Sequence, residues 1–353
     1  MEDLPVHKRI IIKSNKLNYY ADIGSNHLFS FPKNSFILAD SNLFKHNYFK
    51  RLKNIKNINL IKIKVSEKAK EFNEISKVID KLIKLGIKKK STLYVIGGGI
   101  LQDIGGFVSS ILFRGIKWKF IPTTLLSQGD SCIGSKTSIN FRNYKNQIGT
   151  FYPPTQIKVN FKFLESLKQN DILSGLGEMS HYLIIGGNKS FKIIEKELTK
   201  KKINYKNIVF ESLKIKKIYI EKDEFDQNIR NILNYGHTFG HAIESATNYK
   251  VPHGIAVAMG IDISNFFSSK YNLMKNNERL RIQKTLLKIF YSIDVSKINI
   301  NNIIKAIKND KKTNKDYINL IICIKLGRMK IRKVKIDFYF KKILESYFDN
   351  LPC

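Results

Sequence analysis

The feature that most constrains the fold is a short apolar run that ends in three glycines. Residues 93–96 have the composition of a buried strand, and Gly97, Gly98 and Gly99 follow directly. Helix-like sequence comes next, so a strand, a tight turn and a helix N-terminus succeed one another. Such a turn can bind an anion, because glycines let the backbone approach a phosphate and the first helix amides face its charge. The run matches neither G-x-G-x-x-G nor a phosphate loop ending in GK[ST], so taken alone it is equally compatible with a plain tight turn.

Strand-like and helix-like patterns alternate through the first half of the chain. The strand-like runs are short and rich in β-branched residues, and stretches with helical apolar spacing lie between some of them. The strand-like runs are residues 9–12, 35–39, 58–65, 92–96 and 118–121, and the helical stretches are 69–85 and 101–112. This alternation favours a mainly parallel sheet covered by helices. We therefore predict a Rossmann-like α/β domain over residues 1–165.

The pattern becomes helical beyond residue 163. Predicted helices of ordinary length cover residues 171–185, 205–220, 232–246, 253–271 and 277–291, and one strand-like run covers 317–324. We predict a second, mostly α-helical domain over residues 166–353.

Polar residues follow the strand-like run at 118–121. Thr123 and Thr124 come directly after it, and Asp130 and Lys136 lie on either side of a loop of small residues. Ligands of open α/β sheets bind beyond the carboxyl ends of the strands, where two threonines can hydrogen-bond a ribose or a pyrophosphate. The alternative for Asp130 and Lys136 is a surface ion pair of little consequence.

The histidines give the sharpest chemical signal. His237 and His241 lie one helical turn apart within Asn-Tyr-Gly-His-Thr-Phe-Gly-His, and His253 follows shortly. Two such histidines can share a metal, or one can bind it while the other transfers protons. Glu178, in Gly-Leu-Gly-Glu, is an available carboxylate, and three protein ligands with one open position are typical of catalytic zinc. The alternative is that these histidines are satisfied core or capping residues.

The charge of the chain allows two interpretations. Lys and Arg number 62 against 29 Asp and Glu, which gives +33. Nucleic-acid or membrane binding would concentrate this charge on one face or arm, but the lysines are scattered, so we expect neither partner. Three cysteines without metal-ligand spacing (Cys132, Cys323 and Cys353) indicate free thiols in a reducing compartment. Neither a signal-like nor a membrane-spanning apolar run is found, so we expect a cytoplasmic protein.

Taken in chain order, these motifs resemble the 3-dehydroquinate synthase family of sugar-phosphate cyclases. The matching fragments run from Asp40 to Lys312, over most of the chain. They are Asp40-Ser41-Asn42, Glu67 with Lys70, Gly97–Asp103, Arg114-Gly115, 122–125, Asp130 with Lys136, Lys145-Asn146, Glu178, Lys216, Arg230 with Asn234, His237 with His241, His253-Gly254, and Asp310-Lys311-Lys312.

The resemblance implies an NAD-binding N-terminal domain and a helical, metal-binding C-terminal domain. It assigns NAD binding to Asp40, Asn42, Glu67, Lys70, Gly98, Gly99, Asp103, Thr123, Thr124, Phe163 and Ser166. One divalent metal, zinc or cobalt, would be held by Glu178, His237 and His253. Substrate binding falls to Asp130, Lys145, Asn146, Lys216, His181 and Lys311, and catalysis to His241, Lys136, Arg230, Asn234 and Asp226.

The implied substrate is a small phosphorylated sugar acid. In the family's reaction NAD transiently oxidises one carbon, phosphate is eliminated, the ketone is reduced again, and an aldol step closes the carbocycle. A homodimer is implied as well.

The sequence departs from the family pattern at four positions. His181 replaces a lysine, Asp226 a glutamate, Ile255 the glutamate of H-G-E, and Ser135 the second glycine of G-G-K. These changes keep open a sister cyclase that acts on another sugar phosphate. A metal-dependent polyol dehydrogenase is the other alternative, since it would share the glycine turn and the metal helices.

Overall fold

A computed structural model describes residues 8–24, 31–46, 57–142, 144–294, 298–309 and 316–351. The chain divides into two compact units. The first contains Met1–Leu167 and Lys217–Phe225, and the second contains Lys168–Lys216 and Asp226–Cys353.

The first unit is built on a seven-stranded sheet in the order β1-β2-β9-β6-β5-β3-β4. Strands β1 and β2 pair antiparallel, and every other pairing in this sheet is parallel. A separate antiparallel hairpin is formed by β7 and β8. The strands are β1 (Lys8–Ile12), β2 (Tyr19–Ile23), β3 (Ser35–Asp40), β4 (Ile58–Ile63), β5 (Thr92–Gly97), β6 (Lys117–Pro122), β7 (Lys136–Phe141), β8 (Tyr144–Phe151) and β9 (Gln156–Val159).

Two described α-helices belong to this unit, α1 (Phe72–Lys84) and α2 (Gly99–Ile111). Helix α1 buries one stripe, Ile75, Val78 and Leu82, at helical spacing. Helix α2 packs much more closely, because a Cβ on Gly105 would lie 2.3 Å from Val95 Cγ2 and one on Gly106 would lie 2.4 Å from Thr137 Cγ2. The two glycines therefore let α2 lie directly against the sheet and the hairpin. Short 3-10 turns cover Ser41–Lys45, Glu67–Lys70, Leu112–Arg114 and Phe161–Ser166.

The second unit is mostly helical. Its elements are α3 (Gln169–Ile185), α4 (Asn188–Glu197), α5 (Tyr205–Lys222, which belongs to the first unit from Lys217 on), a 3-10 turn (Ile229–Asn234), α6 (His237–Ala246), α7 (His253–Lys270), α8 (Asn276–Phe290), α9 (Ile300–Asn309), the antiparallel hairpin β10 (Tyr317–Lys325) and β11 (Arg328–Lys335), and α10 (Phe338–Asp349). Helix α7 is buried on all sides from Gly254 to Ser268, so it forms the centre of the unit.

The predicted fold class is confirmed, with a mainly parallel α/β unit and a helical one. The predicted helix over 232–246 is confirmed from His237 to Ala246, but it was predicted to begin too early. Its first residues form a 3-10 turn, and Gly236 has φ of 86°, which starts a new helix at His237. None of the described helices combines the length and apolar character needed to cross a bilayer.

Candidate metal centre and glycine turn

The three predicted metal ligands come from three helices of the second unit. Glu178 lies in the middle of α3, while His237 and His253 are the first residues of α6 and α7. Each has a glycine beside it in the sequence, and these glycines are where the helices touch.

Helices α3 and α7 meet backbone to backbone. A Cβ on Gly177 would lie 2.0 Å from the carbonyl oxygen of Gly254, and a Cβ on Gly254 would lie 1.7 Å from that of Ser174. The Gly254 amide donates to Ser174 Oγ at 3.0 Å. No side chain fits at either glycine, and this contact brings Glu178 next to His253.

Helices α6 and α7 approach equally closely. A Cβ on Gly260 would lie 2.1 Å from the carbonyl oxygen of Gly236, and one on Gly240 would lie 3.0 Å from Val257 Cα. The same contact therefore holds the start of α6, where His237 lies, against α7.

The side chains of these three residues converge. His237 Nε2 lies 3.4 Å from Glu178 Oε1, and His253 Nε2 lies 3.3 Å from Glu178 Oε2. Both Glu178 Oε2 and His237 Nδ1 are buried without a hydrogen-bond partner. Two ligand atoms bound to one tetrahedral zinc at 2.0–2.2 Å are roughly 3.3–3.6 Å apart. The spacing and the donor set therefore fit a single four-coordinate divalent cation.

His241 lies close to the same centre. Its ring centroid is 5.4 Å from that of His237 and 5.6 Å from that of His253. One ring nitrogen from each of these three histidines lies within 4.8 Å of the others. His241 is exposed, whereas Glu178 is buried, so two ligand sets are geometrically available.

The electrostatics of the centre are dominated by burial and by the facing of opposite charges. Burial would raise the pKa of the Glu178 carboxyl, but His237 and His253 outweigh it and hold that pKa well below its usual range. Burial would lower the pKa of the His253 imidazole, but Glu178 and Glu244 raise it well above its usual value. The centre is therefore an anionic carboxylate that faces the rings of His237 and His253.

The second nitrogen of His253 has a partner that the sequence reasoning missed. His253 Nδ1 lies 2.9 Å from Glu244 Oε2. A signal was present, because His237, His241 and Glu244 follow one another at spacings of four and three and so share one face of α6.

A cavity of about 420 Å³ lies beside the histidines. Its polar lining includes the predicted residues Asn234, His237 and His241, and four isoleucines contribute apolar surface. The full lining is Asn231, Asn234, His237, Thr238, His241, Ile307, Ile318, Asn319, Ile321 and Ile331. A small molecule can therefore reach the imidazoles from one side.

The other predicted residues of this unit have different degrees of exposure. Arg230 and Lys216 are buried, and Lys216 Nζ lies 5.8 Å from the Tyr182 ring centroid. Asp226 is half-buried, with a left-handed backbone at φ 58°. Lys311 lies outside the described residues.

His181 was predicted to contact the substrate. Its side chain is fully buried on α3, with its ring centroid 5.4 Å from that of His237 and its Nδ1 4.0 Å from Glu178 Oε1. In this arrangement His181 packs against two of the predicted metal ligands.

In the first unit the glycine turn lies where three parallel strands end. Gly98 precedes α2, and a Cβ there would lie 3.0 Å from Thr124 Cγ2. The Thr123 amide donates to the Gly97 carbonyl at 3.0 Å, which joins the ends of β5 and β6. Strand β3 ends at the same edge with Asp40, whose Oδ1 accepts from the Asn42 amide at 2.8 Å. The predicted residues Asp40, Asn42, Gly98, Gly99, Thr123 and Thr124 thus lie at one edge of the sheet.

The buried lysine Lys70 hydrogen-bonds two other predicted residues of this unit. Lys70 Nζ donates to Asp103 Oδ2 at 2.7 Å and to Asn146 Oδ1 at 2.6 Å. Burial raises the pKa of the Asp103 carboxyl, although Lys70 lowers it in part. Asn146, predicted as a substrate ligand, therefore lies with residues predicted to bind the cofactor.

Asn140 ties the β7–β8 hairpin to the same network. Its Nδ2 donates to Glu67 Oε1 at 2.9 Å, and its Oδ1 accepts from the Asn146 amide at 3.0 Å. The hairpin also carries Lys136 and Lys145, which are both exposed, while Asp130 precedes it and is half-buried.

Phe163 and Ser166, both predicted to bind NAD, lie in a 3-10 turn beside the core of the first unit. Phe163 is buried in a core cluster with Ile37, Ala39 and Tyr94, and its carbonyl accepts from Ser166 Oγ at 2.8 Å. Any ligand contact at Phe163 would have to use its backbone, because the side chain belongs to the core.

Comparison with solved structures identifies the class of fold. The chain superimposes on 2-deoxy-scyllo-inosose synthase complexed with carbaglucose-6-phosphate, NAD+ and Co2+ with a TM-score of 0.84, at 21% identity and covering 97% of this chain and 99% of that one. A probable glycerol dehydrogenase from Sinorhizobium meliloti gives a TM-score of 0.55 at 14% identity, covering 91% and 92%. The fold is thus shared with 2-deoxy-scyllo-inosose synthase and, more distantly, with the probable glycerol dehydrogenase.

Sequence comparison narrows this to one family. Residues 60–174 match the 3-dehydroquinate synthase N-terminal family and residues 175–313 match the 3-dehydroquinate synthase C-terminal family. The 3-dehydroquinate synthase of Dictyoglomus thermophilum is 37% identical over 343 residues, which cover 94% of both chains. That of Pelagibacter ubique is 33% identical over 363 residues, covering 95% of this chain and 98% of the relative. The chain belongs to the 3-dehydroquinate synthase family, and the family resemblance seen in the motifs is confirmed.

Proposed function

We propose that this protein is a 3-dehydroquinate synthase, which converts 3-deoxy-D-arabino-heptulosonate 7-phosphate into 3-dehydroquinate and phosphate with NAD and one divalent metal. Membership of the family supports the reaction. The observation that carries the mechanism is the meeting of Glu178 with His237 and His253, because its two carboxylate oxygens lie 3.4 and 3.3 Å from their Nε2 atoms, a spacing that ligands of one cation have.

The metal, bound by these three residues, would polarise a substrate hydroxyl and the ketone formed from it. Glu178 supplies the negative charge that a divalent cation requires in a buried place. His237 and His253 supply neutral nitrogen ligands from two other helices. Because the cavity reaches His237, the substrate would approach the metal centre from that side.

NAD would accept a hydride and return it within each turnover, so no net oxidation results. We assign its binding to the sheet edge formed by Gly98, Gly99, Thr123 and Thr124 together with Asp40 and Asn42. The turn leaves room for a pyrophosphate against the amides that start α2. Lys70 holds Asp103 and Asn146 in fixed positions beside it, and Glu67 is fixed in turn by Asn140.

The substrate carries a carboxylate and a phosphate, and the proposed contacts match that charge. Lys136, Lys145, Lys216 and Arg230 are cations that form charge-assisted hydrogen bonds to such groups. Asn234 lies in the cavity wall and can hydrogen-bond a substrate hydroxyl. His241, exposed in the same wall, is suited to moving a proton at a substrate oxygen or at the phosphate. Asp130, Asp226 and Lys311 complete the proposed set.

The decisive experiment incubates the purified protein with NAD, Zn2+ or Co2+, and the heptulosonate 7-phosphate. We expect phosphate and the carbocycle to form in equal amounts, with no net NADH absorbance. His237→Ala should abolish the reaction, and Glu195→Gln, which alters an ion pair with Arg281, should not. Phosphate release only from other sugar phosphates would indicate a sister cyclase, and steady NADH formation would indicate a polyol dehydrogenase.

We also infer a homodimer that acts in the cytoplasm. Sedimentation of the purified protein at catalytic concentrations tests the dimer, and fractionation of cells tests the location.

A further inference from the structure

We propose that Glu244 is a positioning residue of the metal centre. Its carboxylate accepts a hydrogen bond from the Nδ1–H group of His253. This bond holds the ring with Nε2 directed at the cation. This inference rests on the metal site proposed above and adds to it a residue outside the three ligands.

The geometry of the His253 ring carries the inference. Its Nδ1 lies 2.9 Å from Glu244 Oε2, which is hydrogen-bond distance. Its Nε2 lies 3.3 Å from Glu178 Oε2, an oxygen that has no hydrogen-bond partner. A metal-bound imidazole keeps one proton, and the bond to Glu244 assigns that proton to Nδ1, so Nε2 is the nitrogen that would bind the cation. Ligand histidines typically have such a carboxylate partner, which fixes their tautomer and orientation.

The backbone holds Glu244 in place independently of this bond. The Glu244 carbonyl accepts from the Tyr249 amide at 2.7 Å and from Thr247 Oγ1 at 3.2 Å, which ends helix α6. Only residues 247–252 separate α6 from α7, so the last turn of one helix is kept against the first residue of the other. The Glu244 side chain is 14% exposed, which limits competition from water for its carboxylate.

Position 255 cannot take over this role. A residue two positions beyond His253 on a helix points about 200° away from it. Ile255 is accordingly buried and lines a different cavity of about 380 Å³, with Val251, Pro252 and Ile293. The isoleucine that replaces the family's glutamate at this position therefore points away from the His253 ring. The carboxylate that orients His253 comes from α6.

The test measures metal affinity rather than turnover alone. Glu244→Gln and Glu244→Ala are compared with the wild type in Zn2+ competition against a chromophoric chelator and in the visible spectrum of the Co2+ form. We expect a 10- to 100-fold weaker affinity in Glu244→Ala, a smaller loss in Glu244→Gln, whose amide oxygen can still accept from Nδ1, and an altered Co2+ spectrum in both. Glu195→Gln is the control, because it alters a carboxylate paired with Arg281 instead of a histidine.

Nitrogen NMR of labelled His253 in the Zn2+ form, where the ring is neutral, gives a second readout. The wild type should show an Nδ1 proton in a strong hydrogen bond, and Glu244→Ala should lose the shift that this hydrogen bond causes. If both Glu244 variants bind Zn2+ within twofold of the wild type while His253→Ala loses it, the positioning role is refuted and the metal site stands. If His253→Ala and Glu178→Gln also keep full affinity, the proposed metal site itself is refuted. Should Glu244→Ala fail to fold, Glu244→Gln still decides, because it preserves size and shape.

Discussion

Gly177 and Gly254 face each other where helices α3 and α7 touch, and neither has space for a side chain. A Cβ on Gly177 would lie 2.0 Å from the Gly254 carbonyl oxygen. The next residue after Gly177 is Glu178, and the residue before Gly254 is His253, so the two proposed ligands are positioned by the closest approach of their helices. Precision at the metal centre thus depends on the absence of two methyl groups.

Gly254→Ala tests this dependence. Its Cβ would lie 1.7 Å from the Ser174 carbonyl oxygen, and backbone cannot move aside as a flexible side chain can. We expect the helices to separate and the unfolding free energy to fall by about 3 kcal/mol. We also expect Zn2+ affinity to fall about tenfold or more. Urea unfolding and chelator competition measure the two effects.

Gly99→Ala is the matched control, because the nearest atom to its Cβ, Ser131 Oγ, would be 3.8 Å away and α2 belongs to the other unit. It should keep stability and metal affinity. Unchanged Zn2+ affinity in a folded Gly254→Ala protein would refute the role of this contact.

Lys70→Met should destabilise the first unit and weaken NAD binding. The Lys70 ammonium is buried and paired with Asp103 at 2.7 Å. Burial already raises the pKa of the Asp103 carboxyl, and removing the lysine leaves this carboxylate without its cation. Breaking a buried pair in this way costs roughly 3 kcal/mol. Urea unfolding and calorimetric titration with NAD provide the measurements.

A double variant separates charge from shape. Lys70→Met with Asp103→Asn removes both charges, so it should regain most of the lost stability without regaining full NAD affinity. A double variant as unstable as the sum of the single changes would show that the ion pair is not the cause.

Asp262→Asn should change how stability depends on pH. Asp262 is fully buried on α7 and accepts hydrogen bonds from Gln283 Nε2 and the Tyr347 hydroxyl, each at 2.9 Å. Burial raises the pKa of its carboxyl from 3.8 to about 6, against the lowering effect of these two donors. Between these values the folded protein holds a proton that the unfolded chain releases.

The stability from this proton is fully present below pH 3.8 and is lost as the pH rises through about 6. Over that window the loss amounts to about 3 kcal/mol. Asparagine stays neutral and can accept both hydrogen bonds. Relative to the wild type, Asp262→Asn should therefore gain about 3 kcal/mol between pH 3 and pH 8 in urea unfolding. A difference that does not vary with pH would contradict the assignment.

The sequence predicted the regular parts of the fold because their apolar patterns are strong. The strands near Thr92 and Lys117 are buried on both faces, and such runs are visible without knowledge of their partners. Strands β8 and β11 were missed for a physical reason. They are exposed along most of their length and rich in polar or basic residues, so their pairing depends on the neighbouring strand rather than on their own pattern.

Contacts between residues far apart in the sequence also limited how much of the fold could be predicted. The Lys13 amide donates to Glu221 and the Ser14 hydroxyl to Glu224, so Lys217–Phe225 cluster with a unit whose other residues end at Leu167. No local pattern encodes such contacts. The break at Gly236 was missed as well, because the apolar spacing continues through it and only the close approach of α7 requires the left-handed backbone.

The sequence named candidate site residues but not their geometry. Spacing placed His237 and His241 on one face, the family resemblance pointed to Glu178 and His253, and the structure brings Glu178 within 3.4 Å of His237 and His253. Glu244 lies on the same face of the helix. It was not predicted, because it orients a ligand and does not itself bind the metal.

His241 decides between two versions of the metal centre. Its ring lies near those of His237 and His253, so it could replace Glu178 as third ligand or transfer protons beside the metal. Exposure favours the second role: a proton-transfer residue must reach the substrate, whereas Glu178 is buried with an oxygen that has no hydrogen-bond partner.

We therefore predict that His241→Ala keeps Zn2+ affinity within about threefold of the wild type, since it removes no ligand, while turnover falls by roughly 10²–10⁴. Glu178→Gln should instead lose Zn2+ affinity, and its loss of turnover should follow from the loss of the metal. Chelator competition and the phosphate-release assay, run on the same preparations, separate binding from catalysis. If His241→Ala loses zinc as completely as His237→Ala does, the ligand set is the three histidines, and Glu178 instead pairs with them as their counter-charge.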